Sequence, residues 1–235
     1  MSRLVVFLGC VVMTLSLATP VEGSPSETGS DLFQRACASC HGVDGAGAVG
    51  PSLVGVGAAA ADFQLTTGRM PMAEVRQQAT RKPPAFSPDQ IAELIAFVAS
   101  LGNGPPIPDV QPEGGDVAAG GRLFRSDCAA CHGAAGTGTA LGYGRYAPDL
   151  YQATATQIGE AVRSGPGNMP VFSDDQLSAT DLDSIAAYIG WLQEHHDPGG
   201  ASLGRIGPIP EGMVGWLVGI AGLIAAAVWI ERRAV

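Results

Sequence analysis

Four of the five cysteines in this chain fall into two identical patterns, Cys37-x-x-Cys40-His41 and Cys128-x-x-Cys131-His132. Thiols and imidazole at this spacing support four chemistries. Paired disulfides leave the histidine after each pair without a role. A zinc site uses both residue types, but its ligand pairs are normally separated along one small domain. A thioredoxin-like dithiol expects a βαβ setting, and no alternating strand pattern flanks either motif. The fourth chemistry is covalent c-type haem attachment, in which each thiol adds to a vinyl group and the adjacent histidine becomes an iron ligand. The motifs therefore predict two covalently bound haems c, on Cys37 and Cys40 and on Cys128 and Cys131. His41 and His132 are the expected metal ligands.

After His132 no histidine occurs until His195-His196, so the opposite side of each iron falls to methionine. Met169 stands in Gly167-Asn168-Met169-Pro170. The first copy has Met70 and Met72 in Gly68-Arg69-Met70-Pro71-Met72. Met70 shares the Met-Pro context and is the expected ligand, with Met72 as its alternative. A thioether suits electron-transfer haem; the competing role for each methionine is to fill gaps in a core. His195-His196, beside Asp197-Pro198, reads as an exposed helix end. Gly45-x-Gly47-x-x-Gly50 matches the dinucleotide fingerprint letter for letter, but follows a haem motif instead of a strand. No Ser-His-Asp or paired-carboxylate set stands out, so no catalytic substrate site is expected on this chain alone.

The elements that position these residues repeat. Gly29-x-x-Leu32-Phe33-x-x-x-Cys37 recurs 91 residues later as Gly120-x-x-Leu123-Phe124-x-x-x-Cys128. The same offset relates Ile91, Leu94, Phe97 and Leu101 to Leu182, Ile185, Tyr188 and Leu192. Each copy begins and ends with a helical pattern, Pro88-Asp89 and Asp181 marking the starts of the terminal helices. The middles are rich in Gly, Pro and Ala. The expectation is an all-α fold of two tandem haem domains, 24–101 and 116–197, each too small to be stable without a large apolar group in its core. Pro105, Pro106, Pro108 and Pro112 make 102–115 an extended, semi-stiff linker.

Both ends are apolar. Residues 1–23 have the basic start, uncharged stretch and small-residue end of a signal peptide, with Cys10 inside the discarded part. Met213 to Ile230 carries no charge, spans ~27 Å as a helix and has Trp216 and Trp229 near its ends. Arg232-Arg233 follows it, which places the tail 231–235 in the cytoplasm and the haem domains outside. A second Gly/Pro-rich linker, 198–212, leads into this transmembrane helix. Gly215, Gly219, Gly222 and Ala226 put small side chains along one of its faces for partner helices.

The formal net charge of −9 argues against a nucleic-acid partner. It is uneven: residues 24–101 hold seven acids and five bases, residues 102–197 twelve acids and four bases. The second copy is thus the expected exit for electrons toward a basic partner, with Asp174, Asp175, Asp181 and Asp183 as docking acids.

Cys-x-x-Cys-His, Pro-x-Leu (Pro51 and Leu53, Pro148 and Leu150), Met-Pro and the closing amphipathic helix resemble class I cytochrome c domains over nearly all of both copies. The resemblance implies that the carbonyls of Pro51 and Pro148 accept hydrogen bonds from His41 and His132. The stretch between Met70 and Phe86, with Arg81-Lys82-Pro83-Pro84, departs from that compact pattern. The whole layout of export signal, two haem domains and C-terminal anchor resembles the dihaem cytochrome c subunit of actinobacterial-type cytochrome bc complexes. That implies a single-pass cell-membrane subunit of a quinol–cytochrome c reductase (translocase), partnered by cytochrome b and a Rieske iron–sulfur protein. It would relay electrons to the copper subunit of a terminal oxidase. The alternatives are a membrane-tethered dihaem carrier or oxidase subunit, and a dihaem enzyme such as a peroxidase or thiosulfate dehydrogenase.

Overall fold

The computed structural model describes residues 28–75, 78–195 and 208–234. The expected signal peptide, Cys10, His196 and most of the second linker lie outside the described residues. The first copy consists of α1 (Gly29–Ala36), α2 (Ala38–His41), α3 (Gly57–Thr66) and α4 (Pro88–Ser100). The second consists of α5 (Val117–Leu123), α6 (Ala129–His132), β1 (Thr139–Ala140), β2 (Tyr146–Ala147), α7 (Ala155–Ser164) and α8 (Ala179–Glu194); α9 (Pro208–Ala234) follows.

The first and last helices of each copy start where their caps dictate. Ser87 caps α4 with Gln90 in a reciprocal box and Pro88 in the first turn. Ser178 and Asp181 do the same for α8. In each box a side chain satisfies amides that have no partner within the helix. These helices cross at a glycine in both copies. A Cβ on Gly29 would fall 2.0 Å from the Glu93 carbonyl oxygen, and one on Gly120 would fall 1.8 Å from that of Ser184. Beside each crossing an aromatic pair meets: Phe33 and Phe97 at 4.8 Å between centroids, Phe124 and Tyr188 at 5.4 Å. Every partner is displaced by the same 91 residues. Behind the crossings lie two cores, one around Leu32, Phe33, Leu94 and Val98, the other around Phe124, Ile158, Ile185 and Ile189.

Three features lie beyond the sequence expectation. The glycine-rich run after Cys131 is not plain loop: Thr139 pairs with Ala147 and Ala140 with Tyr146 in a two-residue antiparallel ladder. The linker 102–115 is docked on both copies. Its Pro105 carbonyl accepts from the Ala59 amide at 3.1 Å, and Val110 is buried in the second core. Third, the two copies are packed together. Helix α3 lies against both α4 and α7. The Gln78 side chain bonds the backbone of Tyr146 in both directions, at 2.7 and 3.0 Å. Arg81 Nη2 donates to Gln157 Oε1 at 2.6 Å. The stretch that breaks the compact pattern of the first copy is thus the one that grips the second.

Helix α9 touches neither copy with its apolar face. Gly212–Arg233 has a mean hydropathy of 2.2 and is unburied throughout, long and apolar enough to cross a bilayer. The Arg233 guanidinium lies 4.3 Å over the Trp229 ring near its end.

Candidate functional site

Each motif sits where one helix stops and a single turn begins. The Cys37 amide bonds the Phe33 carbonyl at 2.8 Å, ending α1. Its own carbonyl then accepts from the amides of Cys40 at 3.1 Å and His41 at 2.9 Å. Two thiols and an imidazole therefore share one turn, α2. Gly42, with φ of +80°, reverses the chain, a conformation that glycine adopts without steric cost. The returning strand is tied down by the Gly47 amide on the His41 carbonyl and the Gly50 amide on the Cys40 carbonyl, both 2.7 Å. A Cβ on Gly50 would meet the His41 ring at 3.0 Å. The glycines of the apparent dinucleotide fingerprint thus serve to seat a histidine. In the second copy the equivalent tie is Gly138 to the His132 carbonyl at 2.8 Å.

This seating gives both histidines the same partner. Nδ1 of His41 lies 2.8 Å from the Pro51 carbonyl, and Nδ1 of His132 lies 3.0 Å from that of Pro148. A carbonyl only accepts, so Nδ1 carries the proton and, in the neutral ring, Nε2 keeps its lone pair free. Burial holds His132 below the ordinary imidazole range, against the opposing pull of the Pro148 bond. The ring therefore favours its neutral, metal-binding form.

The first thiol of each motif is shifted the other way. Burial, then the neighbouring Cys40, raises Cys37. Burial, then Asp127 and Cys131, pushes Cys128 up to about 11. A thiol that resists ionisation is a poor partner for thiol–disulfide exchange, and all four motif cysteines are free.

Cys37 and Met70 pack against the same core, while Met72 is not among the residues that do. The Met70 amide is fixed on the Gln64 carbonyl at 3.0 Å. Met169 packs with Cys128 against the second core. Its loop is braced by Arg163, which donates to the carbonyls of Phe172 at 3.0 Å and Leu177 at 2.7 Å. Beside these methionines lie two residues that sequence reasoning passed over. Arg69 Nη1 and Arg145 Nε are buried without a hydrogen-bond partner. Arg69 directly precedes Met70, and Arg145 Nη1 donates to Asn168, directly before Met169, at 2.6 Å. Burial and the nearby Arg81 hold the Arg69 guanidinium below its ordinary value. No motif announces either residue, because their unpartnered N–H groups arise only from tertiary burial.

Of the acids expected to dock a partner, three have structural work. Asp174 pairs with Arg163 at 2.7 Å, Asp181 caps α8, and Asp183 accepts from the Gln111 amide at 2.7 Å. Asp175 is exposed. His195 closes α8 with its ring stacked on Trp191.

Comparison with known proteins places both domains in known families. Residues 26–102 match the family described as "Cytochrome c", and residues 115–189 match "Cytochrome C oxidase, cbb3-type, subunit III". The cytochrome bc1 complex cytochrome c subunit of Mycobacterium leprae is 45% identical over 217 residues, covering 88% of this chain and 75% of that protein. The Corynebacterium diphtheriae protein of the same description is 43% identical over 228 residues, covering 88% and 80%. A thiosulfate dehydrogenase of Stutzerimonas stutzeri is 31% identical over 134 residues, 49% of this chain and 44% of that one. Fold, site and matches together define two tandem cytochrome c domains, a class that binds haem c. The chain belongs to the family of cytochrome bc1 complex cytochrome c subunits.

Proposed function

We propose that this chain carries two covalent haems c and relays electrons out of a membrane-bound bc1-type complex, from a Rieske iron–sulfur protein to the copper subunit of a terminal oxidase. The observation that carries the reading is the repeated bond from histidine Nδ1 to a proline carbonyl, beside two thiols on the same turn.

The residues present fit the group. Two thiols suited to covalent attachment, a neutral imidazole with Nε2 free and a thioether on the adjoining core are the groups a c-type site would use. The unpartnered N–H groups of Arg69 and Arg145 suit the carboxylates at the edge of the macrocycle, since a buried N–H without an acceptor is costly. Bound haem supplies a one-electron couple at its iron. Cys37, Cys40, Cys128 and Cys131 would hold it to the chain, and His41 with Met70 and His132 with Met169 would be the ligands to its irons. The prolines fix ring orientation and raise imidazole basicity. Two protein ligands to each iron would disfavour substrate chemistry on this chain and leave quinol oxidation to the cytochrome b subunit.

Domain limits of 24–101 and 116–197, a cleaved leader over 1–23 and a bilayer span over 213–230 complete the reading. Arg232-Arg233 at the end of α9 supports a cytoplasmic tail and extracytoplasmic domains. Production with c-type maturation machinery, then denaturing electrophoresis with haem staining, should show two haem equivalents retained per chain. One equivalent, or haem lost on denaturation, overturns the assignment. Purification in mild detergent should bring cytochrome b and the iron–sulfur subunit with the chain.

A further inference from the structure

Glu160 is the most deeply buried charged residue of the described chain, with 0% of its surface exposed. It lies on α7, which packs against α3, so it sits in the seam between the two cytochrome c domains. Neither of its carboxyl oxygens has a hydrogen-bond donor. The residue that faces it is another acid, Asp62 of α3. Asp62 is only half-buried and also lines an open groove with Thr66, Pro84, Ile91 and Ile95. Two carboxylates in contact repel, and neither can donate to the other unless one carries a proton.

We propose that Asp62 and Glu160 form one proton-binding site in the domain seam, and that the proton shared between them lets α3 and α7 pack. The Glu160 carboxylic acid donates to Asp62, and the groove beside Asp62 is the route by which the proton reaches water. Among the described residues, the cations near α7 are engaged elsewhere. On α7, Arg163 is held by Asp174, and Arg81, reaching over from the first domain, is bound to Gln157. On α8, Asp181 caps its own helix and Asp183 holds the linker amide of Gln111. The linker lies on the Gly159 face of α7 through Pro108 and Val110, and its Asp109 accepts from the Gln111 side chain. A bound metal is no substitute, since no third ligating side chain joins the pair among the described residues and hard cations demand many oxygens.

Burial, and after it Asp62 as hydrogen-bond and like-charge neighbour, pushes Glu160 from 4.5 up to about 9. Between those values the folded chain holds a proton that the unfolded chain has released, so stability falls as pH rises. The contribution is complete below the unfolded value and lost through the folded one. The seam thereby ties the packing of the two domains to the pH of the compartment they face.

The test uses the full-length haem-loaded chain in detergent. Infrared spectra should contain a protonated carboxyl band at neutral pH that is missing from Glu160→Gln and that titrates away near pH 9 in the wild type. Hydrogen exchange of α3 and α7, normalised for intrinsic rates, should accelerate across the same midpoint. In Glu160→Gln it should stay slow and lose its pH dependence, because the amide is neutral throughout. Asp62→Asn, at the solvent side of the pair, should move the midpoint down by about one pH unit by removing the like charge. The proposal is overturned if wild type and Glu160→Gln have the same carboxyl spectrum or the same pH-dependent exchange. Should Glu160→Gln fail to fold, an unmoved midpoint in Asp62→Asn overturns it alone.

Discussion

At the scale of single residues, the site is local chemistry placed by local turns, and for that reason the sequence exposes most of it. Two thiols and an imidazole share a turn because the motif spacing is one turn, and Pro51 and Pro148 reach the ring nitrogens at 2.8 and 3.0 Å. The methionines are different, since nothing local separates Met70 from Met72. Only Met70 packs against the core that also receives Cys37. Met70→Ala and Met169→Ala should each lower the potential of one haem, on the order of 0.1 V, and open its iron to carbon monoxide. Met72→Ala should do neither. Redox titration with carbon monoxide difference spectra checks all three; a low-potential, ligand-binding Met72→Ala would exchange the assignments. Arg69 and Arg145 were illegible for a complementary reason. An arginine in a glycine-rich loop looks solvated until the fold buries its N–H groups.

At the scale of elements, legibility follows how many sides of a helix are buried. Helices α4 and α8 bury one face, keep the three-and-four spacing and announce their caps. Helix α3 is packed between α4 and α7, and buries Ala59, Ala61, Phe63 and Leu65 at alternate positions. A helix covered on two sides loses the amphipathic period that reveals it. The crossings were half legible: the 91-residue offset links Gly29 to Gly120 and Phe97 to Tyr188, but not one helix to the other. Gly29→Ala and Gly120→Ala drive a methyl into a backbone carbonyl, which cannot swing aside as a side chain does. Each should cost about 2–3 kcal/mol by overpacking, seen as a lower denaturation midpoint of the haem-loaded chain. Gly190→Ala is the control. It lies inside α8 with nothing within 4 Å of a new Cβ, and should stabilise by about 0.5–1 kcal/mol through helix propensity. Equal effects at the three positions would remove the crossing argument.

At the scale of the whole molecule, what the sequence hid was the seam. A Pro-rich linker says nothing of how the two copies meet, yet Gln78, Arg81, Asp62 and Glu160 join them, with partners 68 to 98 residues apart. Such pairs leave no periodic trace in one sequence. The charge imbalance, by contrast, is a property of the sequence that folding leaves in place: the second domain keeps far more acids than bases. Long-range steering depends on the summed field more than on any one contact. It can therefore be weakened at acids that hold no structure, leaving Asp174, Asp181 and Asp183 in place. Glu113, Asp175 and Glu194 are exposed and serve in none of the ties described above. The triple variant Glu113→Gln, Asp175→Asn and Glu194→Gln should slow electron transfer to the oxidase severalfold at low salt and leave reduction of the first haem unchanged. The difference from wild type should shrink as ionic strength rises past 0.1 M, where the screening length falls to about 10 Å. Stopped-flow traces at two salt concentrations read both steps. If the acceptor step proves insensitive to both the charges and the salt, electrons leave by a face that does not use this field, and the exit assigned to the second domain fails.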